Sequence, residues 1–290
     1  MDYREFHRDP GPVPVTVSEA ADLTLADTAA LLARILSTTD AGQIWQEVCD
    51  FFSGLGFAHV IYGYSPDSRG TVLGAPENYL ILSTLPTPVM RELVSMGHFR
   101  RSVTFHWALN NVGLATFSMT EREAGVGEDF AVPPESMAFF QRNNMQTGAS
   151  IGFASERTRG KAVMALIAAP GIDQERVNRV LDATRDVVYA IAAVAHRCLS
   201  ALPYHPPGKR LTPRQREVLE WVAEGKTTAD IALIMGITPP TVEKHLRLAR
   251  ETLGVETTPQ ALVKATFLNQ MFVPSPLEFG AIRAVLQGQS

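Results

Sequence analysis

Apolar residues recur at every third or fourth position in several segments before residue 201, and this spacing predicts amphipathic helices. The first segment runs from Thr28 to Phe52, with Asp27 as its N-cap and a break into two helices near Gly42. Further helices are predicted at 88–96, 134–145 and 173–200.

Three other segments alternate between faces or are continuously apolar, and they predict β-strands. These strands lie at 57–64, 147–153 and 162–168, and the polar residues 156–161 predict a hairpin connection between the last two. Strands mixed with helices in this order predict an α+β fold, in which an antiparallel sheet lies between helices as an α-β-α layered domain.

The stretch Leu202–Arg210 contains three prolines and a glycine, which cannot continue a helix and therefore predict a linker. The sequence thus divides into an N-terminal extension, a large domain, a linker, a small domain and a C-terminal tail. Their predicted bounds are 1–25, 26–200, 201–210, 211–268 and 269–290. The tail is predicted either to dock as a short amphipathic helix or to fray.

The small domain shows the signals of four short helices. Thr212, Pro213 and Gln215 form a capping-box start. A second helix, capped by Thr227 or Thr228, ends at Gly236, a third runs from Pro239 to Leu253, and a fourth begins at Thr258. This order predicts an all-α helix-turn-helix domain with 239–253 as its recognition helix.

The apolar positions of the third helix predict which of its side chains reach DNA. If Val242 and Leu246 pack inward, then Glu243, Lys244 and Arg247 project towards a major groove, where Arg and Lys read base edges. Three further cations are predicted phosphate contacts, namely Arg214, Lys226 and Arg250.

Composition and charge exclude some classes of protein but do not identify the function. The 290 residues are 46% hydrophobic with a net charge of −4 and two cysteines, which argues against disorder and a disulfide scaffold. Residues 205–273 hold nine Lys and Arg against seven Asp and Glu, whereas the remainder holds 17 against 23. No apolar run is long enough for a membrane span. We expect a cytoplasmic protein that is not an enzyme and needs no metal or cofactor.

The small domain resembles a known family over about 55 residues without a gap. Its run L-T-P-R-Q-R-E-V-L-E-W-V-A-E-G-K-T-T-A-D-I-A, followed by T-V-E-K-H-L-R and L-G-V, is similar to the LuxR-type four-helix DNA-binding domain. The resemblance implies DNA binding and adds Thr241 to the predicted contacts. Leu248, Glu251 and Thr252 depart from the family pattern, which puts one or two phosphate contacts in doubt.

The large domain resembles the acyl-homoserine-lactone-binding domain of quorum-sensing regulators over roughly residues 30–200. Gly56-Phe57, Phe139-Phe140 and the strand opening Gly148-Ala-Ser-Ile-Gly152 support this resemblance. The resemblance implies a small-molecule effector and a homodimer. Helix 173–200, with several alanines, is the candidate dimer face, and burial of that helix against the sheet is the alternative.

The family's ligand signature, however, is absent. Alignment places Arg101-Ser102 where the family has the Asp-Pro whose carboxylate accepts the amide N–H of the ligand, and a guanidinium has no acceptor. If Arg101 faces the pocket, the effector is not an ordinary acyl-homoserine lactone; a shifted alignment with Arg101 on the surface is the alternative. The predicted ligand contacts are Tyr62, Tyr64, Arg101, Phe105, Trp107, Phe117 and Ser150.

These observations predict a dimeric LuxR-type regulator that senses a small molecule and binds an inverted-repeat operator in double-stranded DNA. Two alternatives stay open: a regulator that needs no ligand, and one controlled by a protein partner of the large domain.

Overall fold

The computed structural model of the protein describes residues 24–119, 132–155, 160–203 and 208–272, apart from residues 67, 69, 71 and 75. The chain divides into two compact units between Leu202 and Pro203, inside the predicted linker. Of the predicted N-terminal extension only residues 24 and 25 are described, and of the predicted tail only 269–272. The rest of both segments, and most of the predicted 156–161 connection, lie outside the described residues.

The first unit opens with two helices, α1 (Leu25–Leu36) and α2 (Ala41–Gly54), as the predicted break near Gly42 implied. The Thr24 hydroxyl caps α1 by accepting from the Asp27 N–H, so the predicted cap Asp27 is wrong by one turn. Asp40 caps α2 by accepting from two backbone N–H groups of its first turn.

Five antiparallel strands form one sheet in the order β2-β1-β5-β4-β3. The predicted strands are confirmed as β1 (Phe57–Ser65), β4 (Gly148–Gly152) and β5 (Lys161–Ala168). The strands β2 (Leu80–Ser83) and β3 (Gly113–Thr116) were not predicted, because four residues are too few for alternation to be evident.

The helices cover the sheet on both faces, which confirms the predicted α-β-α layers. On one face Tyr62, Met164 and Leu166 pack in a core with α1, α2 and the long helix α6 (Gln174–Ala201). The other face is covered by α3 (Thr87–Ser95), α4 (Val103–Asn110) and α5 (Pro134–Arg142). Of these, α4 was not predicted.

The alanines of α6 divide between two environments. Ala192 and Ala195 are fully buried in the core, as the alternative of burial against the sheet predicted. Ala190 and Ala193 are half-buried. Of these four alanines, only Ala190 and Ala193 can therefore contribute to a dimer face. The dimer face itself stays a prediction.

The second unit contains the four predicted helices, α7 (Pro213–Ala223), α8 (Thr228–Met235), α9 (Pro239–Leu253) and α10 (Thr258–Phe267). Capping boxes begin α7, α8 and α10, and the caps of the last two are Thr227 and Thr257. Gly236 and Gly254 end α8 and α9 in left-handed conformations, which confirms Gly236 as the predicted end of its helix.

Gln270 forms hydrogen bonds that join the C-terminal helices of this unit to the start of the unit. Its fully buried side chain donates to the Lys209 carbonyl (2.9 Å) and accepts from the Leu211 N–H (3.0 Å). Met271 next to it is also buried in the core of the unit. Residues 269–272, predicted as the start of a tail, thus belong to the compact unit. No helix within the described ranges is long and apolar enough to cross a membrane.

Candidate effector cavity and DNA-binding surface

A cavity of about 520 Å³ lies on the sheet face covered by α3, α4 and α5. Small residues at neighbouring positions form part of its floor: Ala165 pairs with Ser150, and Val163 pairs with Gly63. Because these side chains are short, the helices above them leave space. The volume falls within the range of about 300–1,000 Å³ typical of small-molecule sites.

The walls of the cavity are mostly apolar and aromatic. Phe99 and Phe105 meet edge to face with their ring centroids 5.1 Å apart. Further apolar side chains come from α3, α4, α5 and the segments after them, and include Met90, Leu93, Leu109, Phe117, Phe140 and Met145. This lining favours a ligand whose larger part is apolar.

A few polar groups interrupt the apolar lining. Ser150 is only 2% exposed, and within the described part of the chain its hydroxyl has no hydrogen-bond partner. The Lys161 ammonium donates to the Leu109 carbonyl at 3.3 Å. The hydroxyls of Ser102 and Thr104 hydrogen-bond to each other at 2.8 Å. The lining contains no Asp or Glu among the residues that the structure describes.

Three of the predicted ligand contacts line the cavity: Phe105, Phe117 and Ser150. Tyr64 also borders the cavity, but its ring lies beside His196 behind the sheet, with the ring centroids 6.0 Å apart. Two others are not among its described lining residues. Strand alternation turns Tyr62 to the opposite sheet face from Ile61 and Gly63, so that its prediction as a ligand contact is corrected. Trp107 is buried beside Ala108 and Ala115 in a small cluster of its own.

Arg101 lies on the surface, as the shifted-alignment alternative predicted. It ends a short 3₁₀ turn at His98–Arg101, and its guanidinium pairs with the Glu135 carboxylate of α5 at 2.7 Å. Its side chain is 45% exposed and is not part of the described lining. The hypothesis that Arg101 faces the pocket is therefore wrong, and Arg101 says nothing about the class of effector.

Tyr62 belongs instead to a buried polar pair behind the sheet. Its hydroxyl lies 2.8 Å from Nδ1 of His196 in α6, and the ring of Phe153 stacks on the imidazole at 4.5 Å. Burial, with a smaller contribution from Arg197, lowers the pKa of His196 to about 4. Burial, and next the nearby Tyr64, raises the pKa of Tyr62 well above its usual value. The phenol is therefore protonated and the imidazole is neutral, and the two groups share this hydrogen bond.

Sequence reasoning missed two residues that shape the cavity, Gly63 and Lys161. Lys161 was assigned to a hairpin connection, although it is the first residue of β5. Extending the alternation of Val163, Ala165 and Ile167 back by one step would have placed Lys161 on the cavity face. The His196 contact with Tyr62 joins residues 134 positions apart, and no local pattern signals it.

The recognition helix α9 buries and exposes the residues that its spacing predicted. Val242, Leu246, Ala249 and Leu253 are buried in the core of the second unit. On its other sides Glu243, Lys244 and Arg247 are exposed and Thr241 is half-buried. Arg214 and Lys226 are also exposed.

Several of these side chains already have partners in the free protein. Glu243 accepts from the Thr228 hydroxyl of α8 (2.9 Å), and Arg250 donates to the Thr258 hydroxyl of α10 (3.0 Å). Arg247 pairs with Glu251 one turn along α9. Such exposed ion pairs contribute little to stability, so DNA can replace the partner of Arg247 at small cost. All seven predicted DNA contacts remain predictions.

Comparisons with known families match both units. Residues 40–199, more than half of the chain, match the family model of the autoinducer binding domain. Residues 209–265 match the family model described as bacterial regulatory proteins, luxR family.

Two relatives show how far the similarity extends. The transcriptional activator protein BjaR1 of Bradyrhizobium diazoefficiens is 42% identical over 69 residues, which are 24% of this chain and 28% of that protein. The transcriptional activator protein AnoR of Acinetobacter nosocomialis is 24% identical over 248 residues, which are 82% of this chain and 96% of that protein. The crystal structure of Escherichia coli SdiA aligns at 14% identity with a TM-score of 0.49, covering 86% of this chain and 99% of that one.

Proposed function

Because the chain belongs to the LuxR family of bacterial regulatory proteins, with an autoinducer-binding domain ahead of its helix-turn-helix domain, we propose that it is a transcriptional regulator that binds DNA under the control of a small-molecule effector. The observation that carries this proposal is the apolar cavity of about 520 Å³ in the unit that matches the autoinducer-binding model. A regulator of this kind acts in the cytoplasm and is not an enzyme.

The effector that we propose is not an ordinary acyl-homoserine lactone. The resemblance implies that such a ligand gives its amide N–H to a carboxylate, yet the described lining contains no Asp or Glu. Among the described lining residues the amide N–H could donate only to a neutral oxygen such as the Ser150 hydroxyl, and a neutral hydrogen bond is about half as strong as one to a carboxylate. The absence of Asp and Glu from the described lining supports this proposal without any contribution from Arg101.

Ligand-induced stabilisation tests whether the cavity senses a small molecule. The full chain is heated with acyl-homoserine lactones of varied length, with aromatic and carboxylated compounds, and with extracts of the source bacterium's medium. A ligand at 100 times its dissociation constant stabilises the folded state by about 2.7 kcal/mol, which gives a measurable rise in melting temperature.

A cavity-filling variant makes this test specific. A Cβ on Gly63 would meet only Val163 Cγ2, at 3.8 Å, so a longer side chain at this position extends into the cavity. We expect Gly63→Leu to abolish the ligand-induced rise in melting temperature and Gly63→Ala to retain it. If Gly63→Leu responded like the wild type, the effector would bind elsewhere. If no compound or extract stabilised the wild type, a ligand-free or partner-controlled regulator would be favoured.

Arg247 tests the DNA-binding part of the proposal. On DNA selected from a random library by the wild-type protein, we expect Arg247→Ala to weaken binding by about tenfold or more and to relax discrimination at one base pair. The matched control is Arg179→Ala in α6, because Arg179 is also exposed and paired four residues away, with Glu175. Equal binding by both variants would contradict α9 as the recognition helix.

We also propose that the regulator acts as a dimer on an inverted repeat, since a two-fold protein matches two-fold half-sites. The effector would favour one arrangement of the dimer, and this coupling cannot exceed its differential affinity for the two states. Sedimentation of the full chain on the selected DNA measures the stoichiometry. One chain on a single half-site would contradict the proposal.

A further inference from the structure

The cavity contains a positive charge that no carboxylate of the described chain neutralises. Lys161 begins β5 and lines the cavity, and its ammonium makes one hydrogen bond, to the uncharged Leu109 carbonyl at 3.3 Å. An ammonium has three donors, so two remain for a ligand. The residue is half-buried, and a partly buried charge is stabilised when an opposite charge joins it.

A second polar group lies further along the same sheet face. Ser150 pairs with Ala165, which is four residues beyond Lys161 on β5, or about 13 Å along the strand. Ser150 is nearly fully buried and lines the cavity, and its hydroxyl has no hydrogen-bond partner among the described residues. Between the two polar groups the floor is formed by Val163 and Gly63 and is apolar.

We propose that the effector is an amphipathic carboxylate whose anionic group binds Lys161 and whose apolar body lies over the Val163–Ala165 floor towards Ser150. The inference rests on the proposed sensing function and specifies its ligand class. Charge-assisted hydrogen bonds between an ammonium and a carboxylate are about twice as strong as neutral ones, and the apolar walls bury the rest of the molecule. The Ser150 hydroxyl then suits an oxygen substituent on that body, because it donates as well as accepts.

The test compares three probes that share one acyl chain and differ in the polar end: decanoate, methyl decanoate and N-decanoyl-homoserine lactone. Their binding to the full chain is measured by calorimetry below the micelle concentration and by thermal unfolding. We expect decanoate to bind most tightly. We expect Lys161→Met, which keeps the apolar stem and removes the charge, to weaken decanoate about tenfold or more while leaving methyl decanoate unchanged.

Three outcomes would overturn the carboxylate proposal. The first is that the ester or the lactone binds as tightly as decanoate, or that Lys161→Met leaves decanoate binding unchanged. The second is that none of the three probes binds. The third is that decanoate binds Gly63→Leu at wild-type strength, which would show attachment outside the cavity. The first two outcomes would leave the sensing proposal standing. That proposal is tested independently, by the rise in melting temperature with extracts and by the loss of this rise in Gly63→Leu.

Discussion

Substitution of alanine for Gly152 is expected to destabilise the first unit by about 3 kcal/mol or more, at the upper end of the cost of overpacking. A Cβ at this position would lie 1.9 Å from the Asn111 carbonyl oxygen and 2.3 Å from that of Ala108. Both atoms belong to the backbone at the end of α4, so no side chain can rotate away. The helix would have to move off the sheet, and it forms one wall of the effector cavity.

Gly63→Ala is the matched control, because Gly63 and Gly152 lie on either side of Val163 in neighbouring strands. Its added Cβ makes only an ordinary contact, so we expect a neutral or slightly stabilising change. Urea denaturation followed by fluorescence reports the effect, since Trp107 lies within α4 and is buried. Similar unfolding midpoints for the two variants would mean that α4 does not pack on β4 as described.

Acidification is expected to remove about 3 kcal/mol from the unfolding free energy of the first unit through His196 alone. The pKa of this residue is about 4 in the folded chain and about 6.5 when unfolded. Between these values the unfolded state binds a proton that the folded state does not, so stability falls as the pH falls from 6.5 to 4. Above pH 6.5 both states are neutral, and His196 adds no pH dependence there.

His196→Gln isolates this effect, because its amide oxygen can still accept from the Tyr62 hydroxyl but does not titrate. We expect the variant to lose most of the difference in stability between pH 7 and pH 4.5. Burial also lowers the pKa of His59, which leaves a smaller residual slope of the same sign. His106→Gln is the control, since that ring bonds the Arg100 carbonyl in an exposed setting. An unchanged pH slope in His196→Gln would show that burial does not lower the pKa of this imidazole below its unfolded value.

Local signals in the sequence predicted the second unit almost completely. Thr212 and Gln215 form a capping box from neighbouring backbone atoms, and Gly254 ends α9 by a left-handed turn. Each of these interactions joins residues a few positions apart, so the sequence carries them directly. Gln270 is the exception, because its partners are 59 and 61 residues earlier.

The cavity could be predicted only in part, because alternation within a strand sorts residues into two faces without indicating which face is filled. Tyr62 and Ser150 looked alike as polar positions on strands, yet Tyr62 packs behind the sheet and Ser150 lines the cavity. The difference depends on which helices cover each face. The missed helix α4, whose apolar and polar residues show no clear period, forms one of the walls.

The hydrogen bonds that Gln270 makes to Lys209 and Leu211 can form only late in the synthesis of the second unit. Leu211 is made first, and the Gln270 side chain that accepts from its N–H follows 59 residues later, after all four helices. A nascent chain that has reached only Leu268 holds every helix of the unit, yet the Leu211 N–H still lacks the Gln270 side chain that accepts from it. The second unit therefore completes these hydrogen bonds only after Gln270 has emerged from the ribosome.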